Sequence, residues 1–196
     1  MDLNWLLPLA IFSFITCATP GPNNMLLTAV GATHGFRRTL PLLVSVVSGI
    51  TVLILMMTLG LGVIFERFPL LHDLMRVSGS LYLCWLGWKI SRSGMPSDTA
   101  SATVHPYQGL LLQLINPKAW IMAVTAVSLF TLPNEAYWLS AGWILATFFI
   151  TGLYTGAFWI LCGAQARHMI QTAKGWRRFN LTMGAATLAC IVILWL

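Results

Sequence analysis

Six stretches of this chain run about twenty residues each with hardly a charge between them: 5–30, 40–64, 74–91, 108–131, 137–162 and 180–196. A helix needs about 20 apolar residues to cross the roughly 30 Å hydrocarbon core of a bilayer. Backbone in that core must satisfy its own hydrogen bonds, so a single apolar run there is confined to helix. Composition removes the soluble alternative. Only 8% of the 196 residues are charged and 58% are hydrophobic, with a mean hydropathy of +0.80, whereas a soluble domain carries roughly 25% charged residues. The expectation is an all-α polytopic membrane protein with six transmembrane helices in a single domain spanning 1–196.

A net charge of +6 and a pI near 9.6 would suit a nucleic-acid binder, but the basic residues sit in short connections between apolar runs. That placement points to loops facing anionic lipid, and nucleic acid is excluded as a partner. The odd connections hold Arg37, Arg38, Lys89, Arg92, Arg167, Lys174, Arg177 and Arg178; the second, drawn from Glu66 to Arg76, holds Arg67 and Arg76, and the fourth none. Eight against two puts the odd loops in the cytoplasm and both termini outside. The opening Met1-Asp2-Leu3-Asn4-Trp5 lacks the cationic start of a signal peptide, so the first run reads as a retained span. Cys17, Cys84, Cys162 and Cys190 each fall in an apolar run without metal-ligand or thiol-relay spacing, and read as buried small hydrophobes.

Three spans entering from outside followed by three from inside suggest an inverted 3+3 repeat, over about 5–91 and 108–196. No long internal identity supports it. One shared feature does: each half opens on an interrupted helix, at Pro20-Gly21-Pro22 in span one and Asn116-Pro117 in span four. Paired breaks in corresponding positions are the best sequence pointer to a transporter's binding site.

In Thr19-Pro20-Gly21-Pro22-Asn23-Asn24 two prolines delete backbone donors and obstruct the carbonyls before them. The freed groups are tolerable at depth only against protein or a watery cavity. Asn23 is expected to cap the second half-helix, whose positive end would face a carboxylate. The plain alternative is a proline kink with a capping Asn. In Asn116-Pro117-Lys118 the lysine lies about ten residues into its span, roughly 15 Å from the interface by helix rise. Its stem of about 6 Å cannot snorkel that far, so Lys118 is expected to face a cavity or the carbonyls freed at a break. Pro20, Gly21, Pro22, Asn23, Asn24, Asn116, Pro117 and Lys118 are thus the candidate substrate-binding residues.

The acids Asp2, Glu66, Asp73, Asp98 and Glu135, and the four histidines, fall in loops or at the terminus. No embedded carboxylate or imidazole offers a proton relay, and proton antiport would have to use Lys118, a tyrosine or water. A cationic substrate side chain would want an embedded acid, so small neutral zwitterions are favoured. Polar stripes give candidate cavity-lining residues: Ser45 and Ser48, with Thr51, on span two, and Thr147, Thr151 and Tyr154, with Thr155, on span five. Interhelical hydrogen bonding explains them equally well. The Gly152–Gly156 GxxxG motif packs helices within one chain or across a dimer.

Taken together, the Thr19–Asn24 segment, the Gly35-Phe36-Arg37 turn, Gly79 to Lys89, and Gly109 through Asn116-Pro117-Lys118-Ala119 resemble the lysine-exporter (LysE/RhtB) family of amino-acid efflux proteins over nearly the whole chain. The resemblance implies a six-helix inner-membrane exporter of amino acids or close derivatives, working as a homodimer, with both breaks as functional positions. Asn23-Asn24 looks closest to members handling cysteine and O-acetylserine. Arg38-Thr39 departs from the glycine often found there, which bears on the loop more than on function.

The reading is an alternating-access exporter without cofactor or metal. A membrane enzyme would need clustered acids or a cysteine pair at depth, which the sequence lacks. A non-transporting partner subunit would have no use for two broken helices.

Overall fold

The computed structural model describes residues 3–61, 69–92 and 107–195. They form α1 (Leu3–Ala18), α2 (Pro22–His34), α3 (Phe36–Met56), α4 (Pro69–Ser91), α5 (Tyr107–Ile115), α6 (Pro117–Phe130), α7 (Tyr137–Met169) and α8 (Ala173–Trp195). No strand occurs among the described residues. The continuous helices Phe36–Leu61 and Asn134–Met169 are long and apolar enough to cross a bilayer alone. The pairs α1+α2 and α5+α6 pass the same test together, bent by 56° and 74° at their breaks. Among the described residues, length and hydropathy thus pick out two crossings, or four if each bent pair is one span; α4 and α8, 23 residues each, lie side by side as the remaining long helices.

Several boundaries correct the sequence reading. The α2–α3 connection is the single residue Gly35, which leaves α2 at φ 79, a left-handed value that glycine adopts without a Cβ clash. The second span starts at Phe36 rather than 40 and runs into a π-helical turn, Met57–Leu61, where Gly60 has φ 104; its expected end at 64 lies outside the described residues. Arg76 belongs to helix α4, while Glu66 and Arg67 lie outside the described residues. The fifth connection shrinks to three residues between Met169 and Ala173, which moves Arg167 into α7 and Lys174, Arg177 and Arg178 into α8. Cys84 and Cys162 are exposed on the bundle surface; only Cys17 and Cys190 are buried.

Two apolar cores hold the broken pairs in place. Leu9, Ile50, Leu53, Ile54, Met57, Ala123, Ala126, Ile144 and Phe148 join α1, α3, α6 and α7. Leu27, Val30, Leu42, Leu43, Val46, Val47 and Ile160 join α2, α3 and α7. Small residues let α2 and α7 meet backbone to backbone: a Cβ on Gly163 would stand 2.0 Å from the Thr28 carbonyl oxygen, and one on Gly31 2.6 Å from that of Ile160. Gly152 and Gly156 face Val47 and Leu43 of α3. The GxxxG motif therefore packs within the chain and is not free to join two copies.

Candidate substrate site

At the first break, Pro20 and Pro22 cannot donate to the carbonyls four residues before them, and the 56° bend frees their neighbours too. Side chains take over. The Asn24 amide donates to the Cys17 carbonyl at 2.8 Å and to that of Thr19 at 2.9 Å. The Trp159 indole donates to the Ala18 carbonyl at 3.2 Å. The Lys118 ammonium donates to Thr19 at 2.9 Å and reaches Pro20 at 3.5 Å. Carbonyls 17 to 20 are thereby all satisfied, as buried backbone demands.

Asn23 does not cap α2, contrary to expectation. The cap position is Gly21, with extended backbone and no side-chain cap. Gly21 is needed for proximity instead: a Cβ there would lie 3.1 Å from both Cδ and Nζ of Lys118.

The second break is a single extended residue, Asn116, ahead of Pro117. Because Pro117 has no N–H, the Gln113 carbonyl accepts from the Asn116 amide at 3.3 Å instead. The Trp120 indole takes the Leu114 carbonyl at 3.0 Å. α2 and α6 both begin on a proline, which has no N–H, and the Ala119 amide donates to the Asn116 carbonyl at 2.9 Å, so the first amides open to a ligand are those of Asn23 and Asn24 in α2 and of Lys118 in α6. Their positive ends and the Lys118 ammonium make a place suited to an anion.

Between the breaks lies an amide cluster. Asn23 Nδ2 donates to Gln113 Oε1 at 3.0 Å, Gln113 Nε2 to Asn23 Oδ1 at 3.1 Å, and Asn116 Nδ2 to the same Asn23 Oδ1 at 3.2 Å. Asn116 Oδ1 is buried with no hydrogen-bond partner. Gln113, wholly buried, escaped the sequence reading, as did the two indoles. An amide set in the apolar run Leu110–Ile115, three residues before Asn116, was the available signal.

Three cavities adjoin these groups. A small one of about 30 Å³ is lined by Thr16, Gly21, Asn23, Asn24, Asn116, Lys118 and Thr155 together with apolar residues of α2, α3 and α7. That is room for a water or two and not for an amino acid. A second, of about 290 Å³, lies against Thr19, Pro20, Leu83, Lys118, Ile121 and Cys190. Lys118 lines both. A third, of about 510 Å³, runs between α2, α4 and α5 from Leu26 and Ile115 to His34, Lys89 and Tyr107. Among the described residues, no carboxylate lines any of the three.

Seven of the eight candidate binding residues line the first two cavities; Pro117 instead packs on α4, where a Cβ on Gly79 would fall 2.5 Å from its ring. Ser45, Ser48, Thr147, Thr151 and Tyr154 line none of the three. Ser45 lies against Gly109 of α5, Thr151 hydrogen-bonds Ser13 of α1 at 3.2 Å, and Tyr154 is 75% exposed on the outside. Of the two stripes only Thr155 reaches the small cavity.

The model of the LysE type translocator family matches residues 14–194. The chain belongs to that family. Its relatives include the Cysteine/O-acetylserine efflux protein of Salmonella choleraesuis (strain SC-B67), 30% identical with 92% of each chain covered. The protein of the same name from Escherichia coli (strain K12) is 29% identical, again over 92% of each. No solved structure matches. Membership in the LysE type translocators makes the chain a transport protein rather than an enzyme.

Proposed function

We propose that this LysE type translocator exports small neutral amino acids, of the cysteine and O-acetylserine kind named for its relatives, across the bacterial inner membrane by alternating access. One observation carries the reading: an ammonium and an unpartnered acceptor adjoin one acid-free cavity. Lys118 has three N–H donors and gives two contacts to carbonyls. Its remaining N–H, with the first amides of α2 and α6, suits a carboxylate. Asn116 Oδ1, buried and unpartnered, suits an ammonium. A zwitterion supplies both. A cationic side chain would meet no carboxylate among the described residues of the cavity walls and would be repelled by Lys118.

The six-span inverted repeat is part of this proposal. Exchanging α1, α2, α3, α4 for α5, α6, α7, α8 maps the α1–α7 contact onto α5–α3, α2–α7 onto α6–α3, α2–α3 onto α6–α7, and α2–α8 onto α6–α4; each of these pairs touches. The small cavity then corresponds to a collapsed, substrate-free site that widens as the broken pairs rock. With the odd connections cytoplasmic, the 510 Å³ cavity, bounded by His34, Lys89 and Tyr107, is the inward approach.

The test is uptake by inside-out vesicles, whose outer face is cytoplasmic, of labelled L-cysteine, O-acetyl-L-serine and L-lysine, backed by protection of cells from toxic analogues. Faster uptake of the two neutral compounds than in vesicles lacking the protein is expected, with lysine at background. Lysine uptake at a comparable rate would refute the substrate class, and no uptake of any amino acid would refute export.

A further inference from the structure

The amide cluster has a direction, and the direction is set outside it. Gln113 Nε2 also donates to the Gly109 carbonyl, one turn back in α5, at 3.2 Å. Turning that amide over would set Oε1 against a carbonyl oxygen, two acceptors facing each other without a proton between them. Gly109 therefore fixes which end of Gln113 is the donor. Gln113 in turn fixes Asn23 through their paired bonds at 3.0 and 3.1 Å. Asn23 Oδ1 then requires the NH2 of Asn116, at 3.2 Å. What is left over is Asn116 Oδ1, buried and without a partner. A buried unpartnered acceptor in a native site calls for an explanation. A donor supplied by the substrate is one.

We infer that Gln113 is a specificity-determining positioning residue: acting through Asn23, it holds Asn116 with its oxygen as the acceptor for the substrate's α-ammonium, so the site selects amino acids over their α-keto acids. This rests on the export reading and deepens it. Asparagine alone has no preference between its two ends, since rotation about its last bond exchanges donor for acceptor. The relay from Gly109 removes that freedom. It also explains why the reader is a neutral amide. A carboxylate at position 116 would pair with Lys118 and compete for the cation that the substrate's own carboxylate needs. Packing keeps Gln113 in place, since it is wholly buried and a Cβ on Gly49 of α3 would lie 2.5 Å from its Cγ.

The experiment is competition against labelled L-cysteine uptake in inside-out vesicles, with L-alanine and pyruvate as competitors. These differ at the α-carbon, where one carries a donor and the other only an acceptor. Wild type is expected to be inhibited by alanine and far more weakly by pyruvate. Gln113→Met keeps the shape and removes the amide, leaving Asn23 and Asn116 free to turn over. The alanine inhibition constant should rise about tenfold, the scale of one hydrogen bond, while that of pyruvate stays level or falls. An unchanged ratio of the two constants, or equal weakening of both, overturns the inference and leaves Gln113 a packing residue. Should Gln113→Met fail to accumulate, Gln113→Glu keeps the fold's shape; as a neutral acid it has one donor for two acceptors and should move the ratio the same way by a smaller factor. Wild-type vesicles that take up no amino acid would instead count against the export reading itself.

Discussion

The two helix breaks solve one problem in different ways. The first spans Thr19 to Gly21, contains Pro20 and is followed by Pro22, and its carbonyls are satisfied by side chains from α2, α6 and α7. The second is one residue long and bends more sharply, 74° against 56°, yet its carbonyls are served from within its own pair, by the Asn116 amide and the Trp120 indole. The difference teaches where the moving cation belongs. The second broken helix holds itself together and lends Lys118 to the first; under the proposed export, a substrate carboxylate that drew the ammonium away would loosen the first break. Under the same proposal, transport and stability should be coupled at the first break and separate at the second.

Three comparisons probe this asymmetry. Asn24→Ala strands the Cys17 carbonyl and leaves that of Thr19 to Lys118 alone, and should destabilise the protein by about 2 kcal/mol. Asn116→Ala loses one bond to Asn23 and should cost about 1 kcal/mol or less. Thermal unfolding in detergent measures both, and equal losses would erase the distinction. Next, Gly79→Ala drives a Cβ to 2.5 Å from the rigid Pro117 ring, at about 2 kcal/mol. Gly21→Ala meets the flexible end of Lys118 at 3.1 Å and should cost under about 1 kcal/mol while slowing transport, since it shifts the ammonium. Smallest is the indole pair. Trp159→Phe and Trp120→Phe each free one carbonyl, about 1 kcal/mol apiece; a much larger loss for Trp120 would contradict a self-sufficient second break.

Much of this is legible in the sequence. Apolar run lengths and proline positions are local facts, and they place both broken pairs, because nothing in hydrocarbon can rescue a helix from a missing donor except another protein group. The cation at Lys118 is legible for the same reason. What the sequence withholds is partnership across space. Asn24 rather than Asn23 closes the end of α1, Trp159 arrives from a residue 141 positions away, and Gln113 links the breaks; no spacing rule encodes such contacts. The polar stripes mislead because a hydroxyl bonding its own helix, as Thr51 does to the Val47 carbonyl, has the same periodicity as one lining a cavity. Connection lengths are overestimated where charged residues continue a helix beyond the lipid, as at Lys174, Arg177 and Arg178.

The Lys118 ammonium holds the first break through the Thr19 and Pro20 carbonyls, and the proposed export gives it the substrate carboxylate as well. The direct measurement is L-cysteine uptake by inside-out vesicles carrying Lys118→Met, normalised to inserted protein, beside Lys118→Arg. The Met variant should insert normally and lose uptake by about fiftyfold or more, as expected when a charge-assisted contact and its carbonyl partners are both lost, with Arg retaining part of it. Uptake by the Met variant within about twofold of wild type would remove Lys118 from transport and contradict the shared role of its ammonium.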